Sequence, residues 1–256
     1  MSAPRFAFSI PTHSPAERVQ LFDGFQEAGF DGLQLKGGQY AHYLQQPRQF
    51  LLDERGPNKA ISAALIYGGG LDADGVASLR RVFDFARAVD SEMVVFCHGH
   101  SRDSVTDADI RSFARQLSDL GAEALQQGVK LSLHNHFDNP LMHRADFDTF
   151  FGAATPGTIG LTLDTAHLQK SGVFDIAGIV SDYAAFLDNV HLKDFAQGQF
   201  KTLGRGDIEF APIFDALHAI NFTGWLCADE ESETAINESL RASFDFIQRG
   251  WNSQEN

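Results

Sequence analysis

Four side chains able to hold a metal ion stand at matched depth near the ends of four apolar runs in the second half of the chain. His134 follows VKLSL (129–133), Asp164 follows IGLTL (159–163), His191 lies within DNVHL (188–192) and Asp229 follows GWLCA (224–228). Side chains of an extended segment alternate between two faces, so parity tests whether such residues can meet. In VKLSLHNH, Ser132, His134 and His136 oppose Leu131 and Leu133. In IGLTLDTAH, Thr162 and Asp164 oppose Leu161 and Leu163. Asn189, His191 and Lys193 oppose Val190 and Leu192, and Cys227 and Asp229 oppose Leu226 and Ala228. Two imidazoles and two carboxylates suit one divalent ion of the Mn, Zn, Co or Fe type better than Mg or Ca, which favour all-oxygen shells.

Other polar residues join this set with less definition. Gln34 and Lys36 point to the same side from an earlier run; Lys36 suits a substrate hydroxyl or an acidic neighbour. His13, just past the first run, is a rim residue or a substrate contact. His98 and His100 form a rival pair, and Gly204-Arg205-Gly206-Asp207 allows a tight turn that would present Arg205.

Eight short apolar runs must position these groups. They are 6–10, 31–35, 61–67, 93–97, 129–133, 159–163, 188–192 and 224–228, with helical periodicity after nearly every one. Val19, Phe22, Phe25 and Phe30 fall near one helical face, as do Leu79, Val82, Phe83 and Ala86. Residues 38–60 are the poorest connection, with a short helix at 47–54; the last helix spans about 234–249. Strand–helix alternation at 256 residues predicts one (β/α)8 TIM-barrel domain over 1–256. A doubly wound open sheet ranks second, and no GxGxxG follows the first strand.

The balance of 20 basic against 34 acidic residues, a net charge of −14, lacks the footprint of a nucleic-acid or anionic-membrane binder. No window approaches a membrane span or a signal peptide. Cys97 and Cys227, both within apolar runs, are expected to be buried free thiols in a reducing cytoplasm. A homo-oligomer is left open.

The runs LSLHNH, GLTLDTAH, NVHLKD, LGRGDIEFAPIFDAL and GWLCADEES resemble the xylose isomerase-like TIM-barrel superfamily, which includes sugar epimerases, hydroxypyruvate isomerase and inosose dehydratase. The match covers about 129–232 at motif level. By that resemblance Asp164 and His191 are metal ligands, while His167 of the DxxH unit and Arg205 contact substrate. His134 falls where epimerases carry a glutamate, and Asp229 where they carry the last glutamate ligand, with Glu230 adjacent; parity favours Asp229. The His-rich end of strand five and the Lys193-Asp194 pair are shared with inosose dehydratases.

The resemblance implies a metal-dependent isomerase or epimerase acting on a small keto-sugar or polyol ketone through a stabilised enediolate. Asp229, Glu230 or His134 would serve as base, with His136, Lys193, Arg205, Lys36 and His13 around the substrate. Loss of a β-hydroxyl from the same intermediate would instead make it a dehydratase, with His167 or His136 as acid. A non-catalytic sugar-binding barrel subunit is the third reading.

Overall fold

The computed structural model describes residues 3–55, 63–232 and 234–253. Ten strands form. They are β1 (Arg5–Ser9), β2 (Gly32–Leu35), β3 (Ala64–Gly69), β4 (Met93–His98), β5 (Lys130–His134), β6 (Gly160–Asp164), β7 (Leu187–Leu192), β8 (Asp194–Ala196), β9 (Gln199–Lys201) and β10 (Trp225–Asp229). Eight of them close into a parallel barrel in the order β1-β10-β7-β6-β5-β4-β3-β2. The open-sheet alternative is thereby excluded, and each expected strand lies within three residues of its place. Residues 61–62 of the third expected strand lie outside the described residues.

Alternation builds the barrel wall. On the outer face Phe8, Leu33, Leu65, Phe96, Leu131, Leu161, Val190 and Leu226 are each at most 1% exposed and pack into the core shared with the helices. The bore face is smaller and more polar. Its lower part holds Ala7, Trp225 and Cys227 on one side and Ala64, Met93 and Val95 on the other.

Above them a hydrogen-bonded layer fills the bore. Ser132 Oγ and Thr162 Oγ1 are 2.7 Å apart, and Asn189 Nδ2 donates to Thr162 Oγ1 at 3.3 Å. Gln34 reaches across from β2, its Nε2 donating to Asn189 Oδ1 at 2.8 Å. Each buried polar atom must find such a partner or cost a desolvation penalty.

Helices follow the strands, including Pro15–Gly24, Ala73–Ala88, Asp107–Gln126, Arg144–Phe151, Ala211–Ala219 and Ile236–Asn252. Leu79, Val82, Phe83 and Ala86 are buried as their spacing predicts. Val19 departs from its expected face: it is 57% exposed, because Leu21, Phe22 and Phe25 define the inward stripe. The poor connection after β2 becomes short turns at Gly37–Tyr40, Ala41–Tyr43 and Pro47–Phe50, then a wider turn at Leu51–Arg55.

The hairpin β8–β9, absent from the sequence reading, turns at Gln197 (φ 54°) and Gly198 (φ 78°). Two consecutive positive-φ residues match the twist of paired antiparallel strands. The hairpin sets Phe200 against the His167 ring, centroids 5.0 Å apart, with Lys193 Nζ 4.8 Å from its centre.

Among the described residues no helix is long and apolar enough to cross a membrane. Gly121 sits inside the helix Asp107–Gln126, and a Cβ there would lie 2.0 Å from the Thr158 carbonyl oxygen. Glycine lets this helix touch the backbone leading into β6. Gly121→Ala is therefore expected to destabilise the fold by about 1–3 kcal/mol by overpacking, outweighing the roughly 1 kcal/mol gained in helix propensity. Urea unfolding of the two proteins measures the difference, and equal or greater stability of the variant would refute the close-approach argument.

Candidate active site

Register steps the chemistry of the last four barrel strands around the bore, with His134 beside Thr162 and Asp229 one bore position beyond Cys227. Asp164 pairs with His191, Cys227 with His191, and Ser9 with Asp229. His134, Asp164 and His191 form a buried group whose candidate ligand atoms all lie within 4.8 Å of one another. His134 Nε2 is 3.4 Å and His191 Nδ1 3.9 Å from Asp164 Oδ2.

Asp164 and His191 are each aimed by a bond on the far side. Asp164 Oδ1 accepts from His167 N at 2.9 Å, capping the helix Thr165–Lys170, while Oδ2 is left without a hydrogen-bond partner and faces the group. The Asp164 backbone is held by Asn135, which accepts from Asp164 N at 2.8 Å and donates to Asp164 O at 3.1 Å. His191 Nε2 lies 2.8 Å from Gln34 Oε1. The amide oxygen accepts, so Nε2 carries the proton and Nδ1 presents a lone pair to the group. His191 Nδ1 and His134 Nδ1 are buried with no hydrogen-bond partner.

This donor set fits a divalent ion. Two imidazoles and one carboxylate, buried and with ligand atoms converging within 4.8 Å, make a site of the kind that holds zinc or iron. His134, Asp164 and His191 would be its ligands.

Asp229 lies beside the group rather than in it. Its Oδ2 is 3.6 Å from His191 Nδ1 but 2.6 Å from Lys193 Nζ, and its Oδ1 is 2.6 Å from Lys36 Nζ. Lys193, 1% exposed, also meets Asp164 Oδ2 at 3.5 Å and Glu231 Oε2 at 3.0 Å. Lys36 Nζ donates to Glu231 Oε1 at 2.9 Å.

Burial opposes every one of these charges, and the cluster overrides it. Asp164 and Asp229 stay well below the usual carboxylate range because Lys193 faces both. Lys193 is raised well above an ordinary lysine by Asp229, Asp164 and Glu231. Burial depresses His167, and it depresses His136 together with the neighbouring His134, leaving both imidazoles neutral.

A cavity of about 610 Å³ opens over these groups, lined by Lys36, His134, His136, His167, His191, Lys193, Asp229 and Glu231 among others. The rings of His136 and His167 lie tilted against each other with centroids 3.8 Å apart, and Phe200 meets His167 edge-on at 5.0 Å. Backbone groups fix their tautomers. His136 Nδ1 lies 2.7 Å from the Phe137 carbonyl, which only accepts, so Nδ1 carries the proton and Nε2 is basic. His167 Nδ1 accepts from Phe137 N at 3.2 Å, so its Nε2 carries the proton.

Not every expected residue reaches the cavity. Glu230 Oε1 accepts from Ser232 N at 2.6 Å, and the cavity lining does not include it, as strand parity requires. Arg205 is at the surface, paired with Glu238 at 3.0 Å. The loop that carries it closes on Asp194, whose Oδ2 accepts from Gly204 N and Gly206 N at 3.0 and 2.7 Å. His13 is exposed and also absent from the lining. His98 lines the cavity, but its Nδ1 lies 3.3 Å from His100 N and its ring packs on Phe113 at 4.3 Å; the two histidines are not part of a metal-capable group among the described residues. Cys227 is buried in the bore as expected, whereas Cys97 is only half-buried and lines the cavity beside His134.

Glu231 was missed, although its position two residues beyond Asp229 on the same face carried the signal. Asn135 was missed as well: its role is a contact with the next strand, for which the sequence holds no local sign.

The xylose isomerase-like TIM barrel family model matches residues 22–249. An inosose dehydratase from Clostridium perfringens is 27% identical over 189 residues, which cover 61% of this chain and 63% of that protein. The chain thus spans a little under two thirds of the length of that relative. Among solved structures, L-ribulose 3-epimerase superposes with a TM-score of 0.79 at 21% identity, covering 99% of this chain and 96% of that one. The IOLI protein with a bound zinc atom superposes with a TM-score of 0.75 at 14% identity, covering 97% and 98%. At these identities the structural likenesses speak for the fold. With the family match reaching across almost the whole barrel, the chain belongs to the xylose isomerase-like TIM-barrel family.

Proposed function

We propose that this protein is a metal-dependent dehydratase that removes water from a small polyhydroxylated ketone of the keto-sugar or keto-inositol type. The observation that carries the reading is the fixed tautomer of His136, whose basic Nε2 belongs to a ring lining the cavity. The inosose dehydratase relative supports the same class. An epimerase working with two opposed carboxylates finds less support: position 134 is an imidazole, and both oxygens of Asp229 lie 2.6 Å from lysine ammonium groups.

His134, Asp164 and His191 would hold the ion, which when bound supplies Lewis acidity toward the carbonyl and a neighbouring hydroxyl. The proton on the α-carbon moves to His136 Nε2. It then passes from that imidazolium to the β-hydroxyl on the same face of the substrate. The carbon–oxygen bond breaks, water leaves, and a double bond conjugated with the carbonyl remains. His167, through its Nε2–H, orients a substrate hydroxyl, and the Lys36 and Lys193 ammonium groups donate to further oxygens. Phe200 shields the histidines from bulk water.

Metal content tests the first half of the proposal. The purified protein is expected to carry about one Zn, Mn, Co or Fe per chain by mass spectrometry, and His191→Ala and Asp164→Asn to lose it. Asparagine keeps an oxygen for the helix cap, so Asp164→Asn separates folding from binding. Gln34→Leu should weaken metal affinity roughly 10–100-fold by freeing the His191 ring. Metal retained in both ligand variants would reject the site.

Reaction class is read with a panel of inososes and keto-sugars in D₂O, followed by NMR and ultraviolet absorbance. A rising enone absorbance is expected, and His136→Gln should reduce its rate by about 10²–10⁴-fold while metal content holds. Deuterium entering a new isomeric sugar would replace the dehydratase reading with an isomerase or epimerase, and ligand binding without turnover would replace it with a sugar-binding barrel.

A further inference from the structure

The cavity has two unlike ends. Its polar end is built by β5, β6, β7 and β10, whereas toward β3 and the segment 37–44 the walls are mostly apolar, with Tyr40, Leu44, Ile66, Tyr67 and Val82, and His98 of β4 as a polar exception. Both phenol hydroxyls there are directed to backbone carbonyls: Tyr40 Oη donates to Ile66 O at 2.9 Å, and Tyr67 Oη to Gly75 O at 3.5 Å. This end therefore offers ring and aliphatic surface with no free polar partner from either tyrosine.

Gly68 is the key to the space. It stands on the bore face of β3, in register with Cys97, at the level where the later strands place their functional side chains. Its φ is not in the left-handed region, and a Cβ built on it would meet nothing nearer than the Cys97 carbonyl oxygen at 4.0 Å. Neither backbone conformation nor packing calls for glycine at this position. The missing side chain leaves a chamber continuous with the proposed reaction site.

Volume agrees. A six-membered carbon ring fits a cavity of roughly 150 Å³, and about 610 Å³ is open here. Even with the hydroxyls of a cyclic polyol, room remains for a second ring.

We infer that the substrate is bipartite: a polyhydroxylated ring at the histidine end bearing a flat apolar substituent, of the aryl glycoside type, that fills the chamber beside Gly68, Tyr67 and Leu44. This inference rests on the polyol-ketone reading above for the polar half of the ligand. The apolar half stands on the lining and on Gly68 alone.

Calorimetry with two probes that lack a ketone, and so cannot turn over, isolates the chamber: phenyl β-D-glucopyranoside and methyl β-D-glucopyranoside. The phenyl compound is expected to bind the metal-loaded wild-type protein at least about tenfold more tightly, since its ring leaves water for an apolar wall. Gly68→Val should abolish that preference while the melting temperature, the metal content and the affinity for the methyl compound stay within error. Gly68→Ala, which adds one methyl to open space, should fall between the two. Equal affinity of the wild type for both probes, failure of the phenyl compound to bind, or a preference that survives Gly68→Val would each overturn the proposal. None of these outcomes bears on enone formation from small ketones, so the dehydratase reading fails or stands separately.

Discussion

A closed barrel leaves its bore-facing side chains no water to bond with and no direction to turn except toward one another. In this chain the demand is met by a layer that runs Ser132, Thr162, Asn189, Gln34, with Gln34 crossing the bore from β2 to serve β7. The same carboxamide oxygen accepts from His191 Nε2, so the satisfied layer ends on an imidazole whose other nitrogen is unspent. Immediately above, the ligand-capable atoms of His134, Asp164 and His191 gather within 4.8 Å of one another. An orphaned buried polar atom costs about 1–3 kcal/mol, so a His191 lone pair left unspent beside two further ligand-capable groups within 4.8 Å points to a ligand rather than to careless packing.

The charges around that group answer a second constraint. Lys36 and Lys193 face Asp164, Asp229 and Glu231, two ammonium groups against three carboxylates, with the His134 imidazole 3.4 Å from Asp164 on the other side. Buried ions are tolerable when paired with good geometry, and removing one partner strands the other. Asp229 is the hinge of the cluster, because each of its oxygens meets a different lysine. A carboxylate so engaged is a poor proton shuttle. On the proposed dehydratase reading the proton chemistry falls instead to His136, whose ring is set by the Phe137 carbonyl.

Much of this was legible in the sequence because the relevant signal has period two. Four strand ends with polar residues on one parity and leucine or valine on the other could hardly meet except in the bore, and the structure brings His134, Asp164 and His191 together there. The same rule separates Asp229 from Glu230, and carried two residues further it would have found Glu231. What was not legible depends on contacts distant in sequence. Gln34 and His191 are 157 positions apart, and no local pattern announces a bond across a bore. Arg205 misled for the opposite reason: its glycines do make a tight turn, but Asp194 ties that turn down and leaves the guanidinium at the surface with Glu238. Cys97 was misjudged because an apolar run does not tell a strand interior from the last residues at the barrel mouth.

The two halves of the barrel have divided their labour along the same parity. Bore positions at the tops of β5, β6, β7 and β10 carry imidazoles and carboxylates, and the equivalent position of β3 carries no side chain at all. A shared scaffold admits this because the wall is held by its outer face, where the large apolar residues lie, and because the lower bore is already filled by Trp225, Met93 and Ala64. Residues at the mouth are thus released from structural duty. Their identities are free to answer to a ligand, as the proposed reaction asks at the histidine end and the proposed apolar substituent asks beside Gly68.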